Sequence, residues 1–207
     1  MVNVMIVEDQ AMPRQLFEMF INDSENFNLV YSIESAAMAE IYCMNKKIDL
    51  ILMDVCTALE ESGLEAAQRI KEKYPEIKII IVTSMPECSY INRAKAIGVD
   101  SFWYKEISKD PIIDIMNRTM AGEHIFPDAT PEIKIGIASS LDFTQRELEV
   151  LRELTSGDSD SEIAERLNMS VWTVRSHVRH LLEKTGFESR TKLAVVARES
   201  GLVILGY

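Results

Sequence analysis

The sequence predicts a doubly wound α/β fold with a five-stranded parallel sheet, followed by a small all-α domain of four helices. Three observations carry this expectation. Up to Gly122, short uninterrupted apolar runs alternate with longer helical patterns. Residues 123–141 then collect Pro127, Pro131, Gly136 and the Ser139-Ser140 pair, and from Thr144 onward the pattern is helical throughout. A chain of 207 residues is long enough for two domains that each bury a core.

The strands are expected near 2–7, 28–33, 49–53, 77–82 and 100–103. Runs such as Ile77-Lys-Ile-Ile-Ile-Val82 suit strands buried on both faces of a parallel sheet. Leu64, Ala67, Ile70 and Tyr74 recur at helical spacing, with Gly63 and Pro75 at the ends of that segment. A fifth helix is expected from about Lys109 to Met120, with Pro111 in its first turn and Gly122 beyond its end. The domains are therefore placed at 1–122 and 142–207, joined by a linker over 123–141 with a short helical turn around Pro131 to Ile135.

In the second domain Thr144-Gln-Arg-Glu147 reads as a capping box opening a helix to about Thr155. Gly157 breaks it, Ser161 to Leu167 forms a second helix, Ser170 caps a longer third one and Thr191 opens a fourth. Helix, tight turn and longer helix make helix-turn-helix geometry. The apolar tail from Gly201 to Tyr207 is expected to pack on the domain or across a dimer.

Composition excludes several classes. Cys43, Cys56 and Cys88 lie far apart without metal-ligand spacing, so neither a disulfide framework nor a zinc site is expected. The start of the chain lacks a basic leader, and its apolar run is far shorter than a membrane span, so a cytoplasmic protein without membrane partners is expected. A net charge of −11 argues against indiscriminate nucleic-acid binding by the whole surface. The sign reverses locally: Val171 to Lys192 carries five basic side chains against two acidic ones.

Two strands end in carboxylates. Glu8 and Asp9 close the first, and Asp54 closes the third. If these strands are neighbours, their carboxyl ends open onto one crevice. A carboxylate nucleophile facing a phosphoryl donor needs a cation to relieve the repulsion. Mg²⁺ fits, with Asp9 and Asp54 as direct ligands, Glu8 holding a water and the backbone carbonyl of Cys56 completing the set. Thr83 and Lys105 follow the fourth and fifth strands and are placed to bind phosphoryl oxygens.

On the third helix, Val174, Val178, Leu181 and Leu182 form a packing stripe, which turns Trp172, Ser176, Arg179 and His180 outward with Arg175 at the margin. Arginine suits guanine edges or phosphate, while Thr173, Lys184 and Arg190 are placed as clamps on the nucleic-acid backbone. His177 and His180 lack the companions that a zinc site requires.

The carboxylates of the first and third strands, with Thr83 and Lys105, make residues 1–122 resemble a bacterial two-component receiver domain, which is flavodoxin-like in fold. The resemblance implies that Asp54 accepts phosphate from a sensor histidine kinase, that Glu8 and Asp9 bind Mg²⁺, and that Thr83 and Lys105 sense the phosphoryl group. It makes Phe102, three residues before the lysine, a switch aromatic. Residues 142–203, with Phe143-Thr-Gln-Arg-Glu-Leu-Glu-Val-Leu-Arg152, Glu162-Ile-Ala-Glu-Arg-Leu167 and Thr173-Val-Arg-Ser-His-Val178, resemble the helix-turn-helix domain of NarL/FixJ/LuxR-type regulators. That implies a third helix in the major groove of double-stranded DNA, with Arg175, Ser176 and Arg179 as contacts. It also implies a homodimer when active, for which Leu193, Val196 and Ala197 are either the seam or intradomain core.

Two departures from the receiver pattern matter. The loop Val55-Cys-Thr-Ala-Leu-Glu-Glu-Ser-Gly63 lacks the usual proline and is one residue longer, and Glu106 replaces the proline that commonly follows the lysine. The leading expectation is a non-enzymatic, phosphorylation-regulated transcription factor. The alternative is a DNA-binding regulator whose receiver serves as a dimerisation or interaction module without phosphate. A phosphohydrolase would need a second carboxylate two residues after Asp54, where Cys56 stands.

Overall fold

The apolar runs of the N-terminal half form the expected sheet in the computed structural model, which describes residues 1–58, 61–87, 89–105 and 111–203. Strands β1 (Val2–Val7), β2 (Phe27–Ile33), β3 (Leu50–Asp54), β4 (Lys78–Thr83) and β5 (Ser101–Tyr104) lie in the order β2-β1-β3-β4-β5, with every pairing parallel. Intervening helices are α1 (Ala11–Asn22), α2 (Ala39–Asn45), α3 (Gly63–Lys73), α4 (Ser89–Ile97) and α5 (Ile112–Met120). Pro111 is the N-cap residue of α5, and the expected start near Lys109 lies outside the described residues.

Burial on both faces explains the continuous apolar runs. Val4, Ile6, Leu50, Leu52, Ile80 and Val82 form one core with Phe17 and Ile21 of α1 and Ile112, Ile115 and Met116 of α5. Alternation turns Met5, Val7, Ile51, Met53, Ile79 and Ile81 to the opposite face, where they are equally buried. Each fully buried side chain of this size contributes about 1.5–3 kcal/mol relative to exposure. No helix among the described residues is long and apolar enough to cross a membrane.

The chain divides into two compact units, the first built from Met1–Ser84 and Tyr90–Asp128 and the second from residues 85–87, 89 and 129–203 of those described. The segment expected as a connector carries structure at Ile125 and again from Lys134. Ile125 bridges in parallel to Ser101 at the sheet edge, its carbonyl accepting from the Phe102 N–H at 2.8 Å. Around Pro131 to Ile135 the expected helical turn is absent; β6 (Lys134–Ile135) and β7 (Ala138–Ser139) form an antiparallel hairpin instead. Gly136 explains it. The residue takes φ +63° at the first position of a two-residue turn, and a Cβ there would lie 2.0 Å from the Thr185 carbonyl oxygen.

The second unit contains α6 (Gln145–Thr155), α7 (Asp160–Arg166), α8 (Val171–Thr185) and α9 (Arg190–Glu199). Local chemistry sets their starts. Thr144 with Glu147 and Ser159 with Glu162 form reciprocal capping boxes, and the Ser170 and Ser189 hydroxyls cap α8 and α9. Each such cap is worth about 1 kcal/mol. Between α7 and α8, Asn168 takes φ +49°, a left-handed residue that turns the chain sharply. The shared core includes Ile135 and Ala138 of the hairpin, Leu148, Leu151, Ile163, Val174, Leu181, Leu193 and Ala197. Leu202 and Val203 of the tail are buried in it as well, while residues 204–207 lie outside the described set.

Candidate functional site

Strand register brings the carboxylates together. The β1–β3 ladder ends with Val7 opposite Met53, so the next residues, Glu8 and Asp54, stand side by side at the carboxyl ends. β1 and β3 flank the point where strand order reverses, the place where open α/β sheets open a ligand crevice. Glu8, Asp9 and Asp54 each offer a carboxylate oxygen, and these lie within 4.8 Å of one another. Glu8 and Asp54 are buried and Asp9 is exposed, leaving a hard-oxygen cluster open on one side. That donor set fits Mg²⁺, which takes few carboxylates and keeps several waters.

Lys105 closes the cluster from β5. Its ammonium donates to Glu8 Oε2 at 2.5 Å and to Asp54 Oδ2 at 2.9 Å, while Asp54 Oδ1 accepts the Val55 N–H at 2.7 Å. Burial pushes the Asp54 carboxyl up to about 7; Lys105 pulls in the other direction, and Glu8 adds to the rise. For Lys105, burial favours the neutral amine, but Asp54 and Glu8 outweigh it and hold the ammonium above its ordinary range. A further cation would favour the ionised, nucleophilic Asp54.

Thr83 is buried at the end of β4, opposite Tyr104 in the ladder. Phe102 is 1% exposed and meets Tyr104 edge to face, with ring centroids 5.0 Å apart. The aromatic expected to switch thus lies inward here. Cys56 is half-buried and bridges to Ser62, the N-cap residue of α3, so the loop after Asp54 closes on the start of that helix. Within that loop, residues 59 and 60 lie outside the described set, as do Cys88 and Glu106.

In the second unit, α8 presents Trp172, 76% exposed, with Arg175, Arg179 and His180 also exposed and Ser176 half-buried. Thr173 is half-buried, its hydroxyl 2.8 Å from that of Ser170. Two expected clamps are engaged with protein groups. Lys184 donates to the Asp142 carbonyl at 2.8 Å and to Glu147 Oε2 at 2.6 Å, and it sits over the Phe143 ring. It pins the end of α8 to the start of α6, so its donors face protein. Arg190 donates to Asp160 Oδ1 at 2.7 Å and to the Asp158 carbonyl at 2.8 Å, which ties α9 to α7. Sequence periodicity finds neither acid, because each partner is a surface-type carboxylate distant in sequence. Leu193 and Ala197 are core, with Val196 packed against it; Val195 is the exposed apolar residue of α9.

Residues 4–117 match the response regulator receiver domain, and residues 141–197 match the bacterial regulatory proteins of the luxR family. The chain is a two-component response regulator. Over 210 aligned residues, covering 98% of this regulator and 99% of its relative, it is 30% identical to the response regulator protein VraR of Staphylococcus epidermidis. The identity and coverage are the same for VraR of Staphylococcus aureus. Among solved structures, RcsB from Salmonella enterica serovar Typhimurium, bound to promoter rprA in the presence of phosphomimetic BeF3−, matches with a TM-score of 0.59 and 21% identity over 95% of this chain and 98% of that one. ChrA, a response regulator of a heme-sensing two-component system, matches with a TM-score of 0.53 and 19% identity over 97% and 98%. The regulator shares their fold: a receiver followed by a LuxR-type helix-turn-helix domain for DNA-binding transcription regulation.

Proposed function

We propose that this response regulator is switched by phosphorylation of Asp54 and binds double-stranded DNA through α8, working in the cytoplasm as a homodimer. The observation that carries the reading is the Lys105 ammonium shared between Glu8 and Asp54 at the strand-order reversal. An Asp54 oxygen attacks the phosphorus of a phosphohistidine on a sensor histidine kinase; the P–O bond forms as the P–N bond breaks, and the histidine ring nitrogen leaves. Glu8, Asp9, Asp54 and the Cys56 carbonyl would hold Mg²⁺, which supplies neutralisation of the negative charge that collects on the phosphoryl oxygens. Lys105 then exchanges a carboxylate partner for a phosphoryl oxygen, Thr83 donates its hydroxyl to another, and Phe102 responds from the adjacent strand. The regulator itself turns over no substrate.

On the DNA side, Arg175, Ser176 and Arg179 meet base edges while Trp172 and Thr173 meet the sugar-phosphate backbone. The second domain carries nine basic against eleven acidic side chains from residue 141 onward, so one copy gains little from counterion release. Two copies on half-sites about one helical turn apart offset this. The test is intact-mass measurement after incubation with a small phosphodonor and Mg²⁺. One added phosphoryl group is expected on the wild type and none on a folded Asp54→Asn protein. A folded wild type that gains no group from several donors would replace this reading with phosphate-independent DNA binding.

A further inference from the structure

Arg175 is held by Asp160, the acid that also anchors Arg190. Asp160 opens α7, and its carboxylate is divided between arginines from two other helices: Oδ2 accepts from Arg175 Nε at 3.1 Å and Oδ1 from Arg190 Nη1 at 2.7 Å. Arg190 is itself fixed, its Nη2 donating to the Asp158 carbonyl at 2.8 Å. The Asp160 side chain is 20% exposed and that of Arg175 is 70% exposed. The acid therefore sits in the wall between helices, and the arginine stands out from it on the face assigned to DNA.

A guanidinium is a rigid planar fork with five N–H donors. Held through Nε, it retains Nη1 and Nη2 for a ligand, and these two match the O6 and N7 acceptors of a guanine edge. An arginine without the clamp is able to rotate off the base edge or swing onto a phosphate. Those alternatives keep the charge attraction but lose the base discrimination.

We infer that Asp160 is a positioning residue for sequence readout: held in place by Arg190, it clamps Arg175 through Nε and so orients the terminal nitrogens of that arginine toward a guanine edge. The inference rests on α8 being the groove-entering helix. It separates two effects of one carboxylate. As an anion near DNA, Asp160 weakens binding to every duplex alike, whereas as a clamp it raises only the ratio of operator to unrelated affinity.

The experiment uses the full chain and two duplexes, one selected from a random pool by the wild type and one scrambled from it. Asp160→Asn is isosteric and is expected to lower the operator-to-scrambled ratio roughly five- to tenfold, with affinity for the scrambled duplex unchanged or raised. In an Arg175→Ala or Arg175→Lys background the same change is expected to leave the ratio unaltered. Two results would overturn the inference: an unaltered ratio in Asp160→Asn, or an equal loss of ratio when Arg175 is already replaced. If Asp160→Asn unfolds, Arg175→Lys alone decides, since a lysine keeps the charge but has no Nε–H to clamp; a wild-type ratio there overturns the inference. Arg175→Ala and Arg179→Ala binding the operator as tightly as wild type would instead remove α8 as the reading helix.

Discussion

Gly63 abuts the backbone carbonyl of Asp54 so closely that a Cβ built on it would lie 1.7 Å from that oxygen. Its N–H also donates to the Val55 carbonyl at 2.8 Å, so the first residue of α3 docks on the strand end that carries the proposed phosphoacceptor. Backbone on both sides leaves little room to yield. Gly63→Ala is expected to destabilise the receiver by about 1–3 kcal/mol, read as a lower urea midpoint, and to slow phosphorylation of Asp54. An unchanged midpoint would show that the loop after Asp54 moves freely.

Replacing Lys105 with methionine leaves Glu8 and Asp54 facing one another without the ammonium that links them. Removing one partner of a buried ion pair costs about 3–5 kcal/mol. A divalent cation in the carboxylate cluster offsets part of this. Thermal unfolding of Lys105→Met is therefore expected to show a larger upward shift on adding Mg²⁺ than the wild type does. Equal shifts would mean that metal and ammonium do not share these carboxylates.

Asp100 gives the receiver an acid-sensitive anchor remote from the pocket. Its carboxylate accepts from Lys71 at 2.6 Å, from Lys78 at 2.9 Å and from the Ile79 N–H at 2.9 Å. Burial opposes ionisation, but the hydrogen bonds from Lys71, Lys78 and Ile79 outweigh it and hold the carboxyl below its ordinary value. A depressed folded-state value contributes stability that is present above about pH 4 and is lost as pH falls through the folded value. Asp100→Asn is expected to lower stability by a few kcal/mol near neutrality and to flatten the acid side of the stability curve. Parallel wild-type and variant curves across that window would contradict the assignment.

Trp172 stands exposed in the first turn of α8. Trp172→Ala is expected to weaken DNA binding several-fold, about 1 kcal/mol for the loss of one backbone hydrogen bond or apolar contact. The chain's other tryptophan, Trp103, is half-buried against Phe17, with ring centroids 6.2 Å apart. A Trp103→Phe background therefore isolates the Trp172 indole, whose fluorescence should change on adding duplex. Wild-type affinity in Trp172→Ala together with an unresponsive indole would place Trp172 off the interface.

Features that depend on neighbours within a few residues are legible in the amino-acid order alone. Continuous apolar runs mark β1, β3 and β4 because those strands are buried on both faces, while β2, mostly half-buried at the sheet edge, shows a more broken run. The Thr144–Glu147 capping box marks the start of α6 because cap and partner lie three residues apart. The carboxylates at the ends of β1 and β3 were legible as a cluster once those strands were neighbours, since parallel register carries both to one edge. Other features were decided only by tertiary packing. The hairpin over Lys134–Ser139 has strands of two residues, too short to show a period, and Gly136 required contact with Thr185 before its meaning was visible. Lys184 and Arg190 look like free cations in sequence, yet they meet Glu147 and Asp160 across 37 and 30 residues. On α9, Leu193 and Ala197 face the core while Val195 is exposed, a phase fixed by how the helix docks. Periodicity and capping are local free-energy preferences, whereas the pairing of a long cationic side chain with a distant carboxylate depends on where the packed core leaves their backbones.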